Sequence, residues 1–515
     1  MTAPALDFAR PDTKLDRRWW ILVVLAVAQL MIIVDASIIN VALPSAQRAL
    51  KISTADRQWV LTAYTLTFGG LLLLGGRIAD YTGRKRALII GFIGFAAASA
   101  LGGLAPDAAL LFGARALQGG FAALMAPAAL SLINVTFTEA RDRARAFGVY
   151  GAISGGGLAI GLIAGGLLTQ YASWRWCLLV NIPISAGAAV AAFRLITESR
   201  TEAKTPRTRY DLPGAVLSTL GMVGLVYGFT EASTHGWTSS LTLSILIVSV
   251  TLLVAFVFVE SGSSHPLLPL RVITNRNRGG SYLTTLLVGM GMMGSFLFLT
   301  FYMQETLHYS ALRTGFSYLP FSLGIVSGAA VATKLTNRLQ PRVLMGSGLA
   351  LAVLGMLWFT QLGLHSAYWT HIAPAELVMS LGMGLVFVPV NNVALVGVGA
   401  TDSGVASALV NSTQQIGGSI GTALLNTVAT TVTASYIRGH GVGSLSAATG
   451  ALHGYTVAFA VGAGFLALAL VAVWSLVNAR PAGSTGPAPD VSPATDDGFA
   501  TEDATAELGV SPALA

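Results

Sequence analysis

Charge is what this chain has least of. Asp, Glu, Lys and Arg make up 10% of its 515 residues, against 54% hydrophobic. A soluble domain carries roughly 25% charged residues, so lipid or protein, not water, must surround most of these side chains, and the class is a polytopic membrane protein. Cysteine is almost absent. The single Cys177, in the apolar run "WCLLVNIPI", excludes a disulfide within the chain and reads as a small packing residue. His308, His365, His371, His440 and His453 lie in or near loops without ligand spacing, so neither a metal nor a cofactor is expected. A G-x-x-x-x-G-K-[ST] phosphate loop is missing, which removes a nucleotide engine. No Ser/His/Asp constellation marks an enzyme, and no nucleic-acid partner is expected.

What the chain has instead is apolar length. Runs of roughly 20 residues cross a bilayer core of ~30 Å, and fourteen are found, in 19–43, 58–78, 87–105, 109–133, 146–169, 176–196, 211–230, 241–260, 280–303, 315–335, 342–362, 372–396, 404–430 and 452–477. An even number puts both termini on one side. Lys and Arg concentrate in the loops of that side, which the positive-inside rule makes cytoplasmic; Arg48, Lys51 and Arg57 in the first outer loop run against the bias.

The turn "GGRIADYTGRKR" after the second run has a weaker echo, "ATKLTNRLQPR", after the tenth, so the chain reads as duplicated. The expected layout is a leader 1–18, a six-helix half 19–196, a linker 197–210, two inserted helices 211–260, a linker 261–279, a second six-helix half 280–478 and a tail 479–515. From Pro481 the tail carries six Asp or Glu and no Lys or Arg, a composition that cannot bury a core and is expected to be disordered.

In "GGRIADYTGRKR", Gly76 and Gly83 suit close helix approach and positive φ, while Asp80 can pair with Arg84 or cap a helix, next to Lys85. The spacing resembles the G-x-L-a-D-x-x-G-R-K signature of the major facilitator superfamily, with Ile78 in the Leu position. "VDASIINVALP" resembles the D-x-x-x-x-N-V-A-L-P element of that superfamily's fourteen-span drug:proton antiporters, the Asp matching Asp35, then Asn40 and Pro44. "ARALQGG" resembles its R-x-x-Q-G element at Arg115, Gln118 and Gly119. "GLAIGLIAGG" resembles the antiporter motif G-x-x-x-G-P-x-x-G-G at Gly157, Gly161, Gly165 and Gly166, with Leu162 in place of the proline. "NSTQQIGGSIGTAL" is also similar, with Gln414 where many relatives carry Arg. The resemblance covers residues 15 to 478. It implies an all-α major facilitator fold of fourteen transmembrane helices, two halves rocking about a central cavity, in a plasma membrane.

An acid near the middle of an apolar span costs about 2.5 to 3.5 kcal/mol on insertion scales, so Asp35 needs a reason. At ~1.5 Å per residue it lies about 12 Å from the outer end of its span, and Arg115 enters from the same side to about the same depth. Two readings stay open: a structural ion pair joining two spans, and a proton-coupling pair in which the guanidinium favours the carboxylate while apolar surroundings favour the acid. Glu376, about five residues into its span, is the second proton candidate. Candidate cavity-wall residues are Gln29, Tyr64, Phe68, Phe301, Asn391, Asn392, Asn411, Gln414 and Gln415, polar or aromatic groups within spans. The expected function is proton-coupled export of amphipathic, often cationic, small molecules, with protons and the lipid bilayer as its other partners. A nutrient symporter and a non-transporting receptor or scaffold on the same fold are the alternatives.

Overall fold

The structure, a computed structural model, describes residues 17–197, 211–263, 266, 270–336, 338–396, 398, 403–441 and 443–479. Most of the expected leader, first linker and tail lies outside the described residues. All regular structure among the described residues is helical.

The first half contains α1 (Arg17–Leu50), α2 (Trp59–Thr82), α3 (Arg84–Gly103), α4 (Ala108–Thr136), α5 (Ala140–Tyr171), the short α6 (Trp176–Leu179) and α7 (Asn181–Leu195). A pair follows, α8 (Leu212–His235) and α9 (Ser240–Gly262), then a short α10 (Leu270–Thr274). The second half contains α11 (Arg276–Phe301), prolonged by a π-helical turn at Tyr302–Thr306, α12 (Ala311–Ser317), α13 (Leu319–Leu335), α14 (Pro341–Phe359), α15 (Ala373–Leu395), entered through a π-helical turn at Tyr368–Ile372, α16 (Ser403–His440) and α17 (Ser444–Leu476).

The halves repeat one packing scheme. In the first, α4 packs between α2 and α3 while α1 packs on α5; in the second, α15 packs between α13 and α14 while α11 packs on α16. Small residues permit these approaches. On α2 it is Gly75, not the expected Gly76, that lets α4 close in: a Cβ on Gly75 would run into the Ala123 carbonyl, whereas one on Gly76 would make ordinary contact with Pro127 at 3.5 Å. Local chemistry sets several helix starts, since Asp107, Asp211, Asn275 and Ser310 each accept from a backbone N–H of the first turn.

The pair α8 and α9 sits at the edge. Gln58 donates to Thr230 Oγ1 at 2.6 Å and Thr427 to the Phe229 carbonyl at 2.7 Å, fixing α8 to both halves. Only 11% of the most apolar window of α9 is buried, against 61% for α2, so α9 offers its side chains to the surrounding apolar medium.

Twelve described helices are long and apolar enough to cross a membrane, against fourteen expected. The two runs not counted lie on α5 and α16. Both helices are long, 32 and 38 residues; α5 contributes a shorter apolar stretch, Gly156–Tyr171, and the Ser, Thr, Asn and Gln of α16 lower its hydropathy. Several of these α16 groups face protein, Ser419, Asn426 and Thr427 among them.

Candidate functional site

α1 and α4 place Asp35 and Arg115 level. Arg115 Nη1 donates to Asp35 Oδ2 at 2.6 Å, with Asp35 fully buried and Arg115 1% exposed. The carboxylate has two further donors on Oδ1: Gln118 Nε2 at 3.0 Å and Asn181 Nδ2 at 2.8 Å. Gln118 Nε2 is also 2.8 Å from Ser99 Oγ, and its Oε1 accepts from Arg115 Nη1 at 2.9 Å. Arg115 Nε donates to the Val60 carbonyl at 3.0 Å, and the guanidinium lies 4.5 Å from the centroid of the Tyr64 ring. Helices α1, α2, α3, α4 and α7 thus converge on one buried charge pair, held entirely within the first half.

Such a pair is stable as an ion pair because desolvation is repaid by hydrogen bonds to both partners. To exchange a proton, the carboxyl group must lose at least one of these donors and gain a path to water. Sequence reasoning missed Asn181 and Ser99. The signal for Asn181 was an amide in the apolar run "LLVNIPI"; Ser99 is one of many small residues on α3 and carries no comparable mark. Tyr64 was expected in the cavity wall; it is instead 1% exposed, packed under Arg115 with its hydroxyl donating to the Ile32 carbonyl at 3.3 Å. Phe68 is buried beside it.

The glycine motif of α5 divides its contacts. Gly157 and Gly165 face α1: added Cβ atoms would meet Ile33 Cγ2 at 3.0 Å and the Ile38 carbonyl at 2.5 Å, and one on Gly161 would collide with Ser37 Oγ. Gly166 faces the other half, where a Cβ would lie 2.7 Å from the Ala311 carbonyl. Leu162, in the place of the motif proline, is fully buried, with its carbonyl 2.5 Å from the Cβ position of Gly315.

These contacts belong to a closed face at the end of the bundle away from residues 17 and 476, here called distal. Arg57 crosses it, its Nε 3.2 Å from Asn426 Oδ1 and its guanidinium 4.0 Å from the centroid of Phe301. Asn426 donates in turn to the carbonyls of Thr54 and Ala55. Gln304 Nε2 donates to the Val41 carbonyl at 2.8 Å, Gln170 Oε1 accepts from the Leu312 amide, and Thr65 and Ser419 share a hydrogen bond of 2.6 Å deeper in. Phe301, expected in the cavity wall, is fully buried in this closure.

The remaining candidates separate. Asn391, Asn392 and Asn411 are exposed in the proximal part of the second half, and Gln29 and Gln414 are half-buried. Gln29 accepts from the Tyr150 hydroxyl. Gln415 sits at the α2–α16 contact, its Cβ 2.7 Å from the Cβ position of Gly69. Glu376 is buried in the second half, apart from Asp35 and Arg115, which the structure does bring together.

At the proximal turn Gly83 adopts φ +95° between α2 and α3, a conformation that favours glycine. The side chain of Asp80 lies outside the described residues. Arg84 opens α3, and Lys85 Nζ donates to the Phe193 carbonyl of α7 at 2.9 Å.

A helical bundle of two like halves, crossing a membrane many times and closed at one face, is the architecture of an alternating-access membrane protein. The chain belongs to the Major Facilitator Superfamily, whose pattern it matches over residues 25–422. It is 49% identical over 477 residues to the puromycin resistance protein pur8 of Streptomyces alboniger, covering 92% of this chain and 94% of that one. It is 39% identical over 411 residues to the cephamycin export protein CmcT of Amycolatopsis lactamdurans, covering 79% and 84%. Among solved structures it shares its fold with a bacterial homologue of the human lysosomal transporter Spinster, with TM-score 0.65, 15% identity, and coverage of 93% of this chain and 100% of that one.

Proposed function

We propose that this protein exports amphipathic, often cationic, antibiotics from the cell in exchange for protons, across a plasma membrane with both termini cytoplasmic. The observation that carries the reading is the buried Asp35–Arg115 pair, an ionisable couple at the depth where a transporter of this superfamily handles its cargo, in a chain whose relatives carry names of antibiotic resistance and export.

In the proposed cycle the distal face is the outer one, and the conformation described here is closed to the outside. The exposed amides of Asn391, Asn392 and Asn411 then receive cargo from the cytoplasmic side. Rocking of the halves breaks the closure at Arg57, Gln304 and Gly166 and remakes it at the opposite end. Protonation of Asp35 removes the charge that holds Arg115, Gln118 and Asn181 around it, so occupancy by a proton and rearrangement of five helices are the same event. Intramembrane ionisable groups commonly serve such paths.

Cells expressing the protein are expected to accumulate less ethidium, and to tolerate more puromycin, than cells without it. A protonophore abolishes the difference, and ATP depletion with the gradient maintained does not. Accumulation that rises on expression overturns the direction of transport; insensitivity to the protonophore overturns the coupling.

A further inference from the structure

Glu376 is fully buried on α15, and neither carboxyl oxygen has a hydrogen-bond partner among the described residues. Its place in the second half corresponds to that of Arg115 in the first. Both lie in the distal part of the helix packed between two others, and both precede a proline within that helix, Pro127 in α4 and Pro389 in α15. Each also has a tyrosine of the preceding layer beside it, Tyr64 for Arg115 and Tyr318 for Glu376. The difference is compensation. Arg115 has an anion, whereas among the described residues no cation pairs with Glu376.

Among the described residues, the tyrosines Tyr318 and Tyr368 lie within electrostatic reach of Glu376. Both are engaged elsewhere, Tyr318 with Thr300 and the Phe296 carbonyl and Tyr368 with the Ser317 carbonyl. His371, on the turn leading into α15, bonds Thr370. On the packed helices, Arg276 and Arg278 of α11, Lys334 of α13 and Arg342 of α14 sit in proximal turns, and Arg438 and His440 lie at the exposed far end of α16; on the distal side Glu305 lies in the π-helical turn that prolongs α11, and Arg313 of α12 turns to the ring of Tyr309 at 3.7 Å. An ionised carboxylate without a partner is not sustained in such a setting, so in this conformation the group is the neutral acid.

Its cover is also the moving part. Ser317 ends α12 and Tyr318 follows it, and α12 is the segment that closes on α5, through Gly166 against Ala311 and Gly315 against Leu162. Parting α12 from α5 opens the layer above Glu376 to water from the distal side. We infer that Glu376 is a second proton-binding site, occupied while the distal face is closed and emptied when that face opens, so that closing the face takes up one proton from the distal compartment. The inference deepens the proton-coupled reading but rests on the alternation of the halves and not on Asp35.

The test uses the full chain in nanodiscs, with spin labels on Ala49→Cys and His365→Cys, both exposed at the distal face and on opposite halves; Cys177 is buried and escapes labelling. Distances are measured against pH. For the parent protein the open-to-closed ratio is expected to rise with pH, and Glu376→Gln, which mimics the neutral acid, should lower the slope by one proton, a factor of about ten per pH unit. Glu376→Met supplies a second neutral side chain of similar size should the amide fold poorly, and it should give the same flattened slope. Asp35→Asn should leave this share of the slope in place. A parent ratio that ignores pH, or a slope unchanged in both Glu376 variants, overturns the inference. In either case drug-driven proton release that persists in the parent and is lost in Asp35→Asn leaves the proposed function standing.

Discussion

Arg57, on the loop before α2, meets Asn426 of α16 at 3.2 Å and lies over the ring of Phe301 at 4.0 Å, so a cation from one half is sandwiched against an amide and an aromatic face of the other. Arg57→Ala and Asn426→Ala should each shift the conformational equilibrium toward the distal-open form, by about 1 to 2 kcal/mol or roughly five- to thirty-fold. The double variant should shift it by less than the sum. Distance measurements across the distal face report the shift; full additivity would mean that the two residues do not act on each other.

The donor set around Asp35 separates a proton site from a structural pair. Asp35→Asn leaves the Arg115 charge buried without an anion, at a cost of roughly 3 to 5 kcal/mol, and adding Arg115→Gln should restore thermal stability in either case. Proton release from reconstituted vesicles on addition of drug is the discriminating measurement. It should be absent in both variants, because neither retains the titrating group. Recovery of proton release in the double variant would make the pair structural.

Asn181 holds one of the three bonds to that carboxylate. Asn181→Leu should destabilise the protein by about 1 to 3 kcal/mol, the cost of a lost bond to a buried charged group. It should also weaken drug-driven proton release from reconstituted vesicles, since the carboxylate then keeps two of its three bonds. A melting temperature that falls with proton release unchanged would assign Asn181 to packing alone.

The glycines of α5 predict two phenotypes from one motif. Gly166→Ala places a methyl 2.7 Å from the Ala311 carbonyl across the halves; it should leave melting nearly unchanged and hold the distal face open, with export lost. Gly165→Ala meets the Ile38 carbonyl at 2.5 Å within one half and should lower stability by 1 to 3 kcal/mol, the order of an overpacked core. Equal melting temperatures for the two variants would contradict this division.

The sequence by itself determined the medium and the fold class. Scarce charge and runs of membrane-spanning length admit no other solvent than lipid, and the motif around "ADYTGRK" with Asp35 and Arg115 specified the superfamily. It also made Asp35 and Arg115 candidates for a common depth, because helix rise is fixed and depth can be counted along each span. What it could not decide is which side of a helix faces which neighbour. In a helix apolar all round, periodicity does not separate a cavity face from a packed one; hence Tyr64 and Phe301, candidates for the wall, are buried, and Gly75 replaces Gly76 at the close approach. Nor does one sequence reveal partners brought from elsewhere in the chain. Asn181 reaches Asp35, Ser99 reaches Gln118, Arg57 reaches Asn426, and Glu376 has no partner among the described residues, only because tertiary packing sets which helices lie side by side. The physical reason is that hydrogen bonds and ion pairs act within about 3 Å, whereas the sequence records separations along the chain, here 369 residues between Arg57 and Asn426.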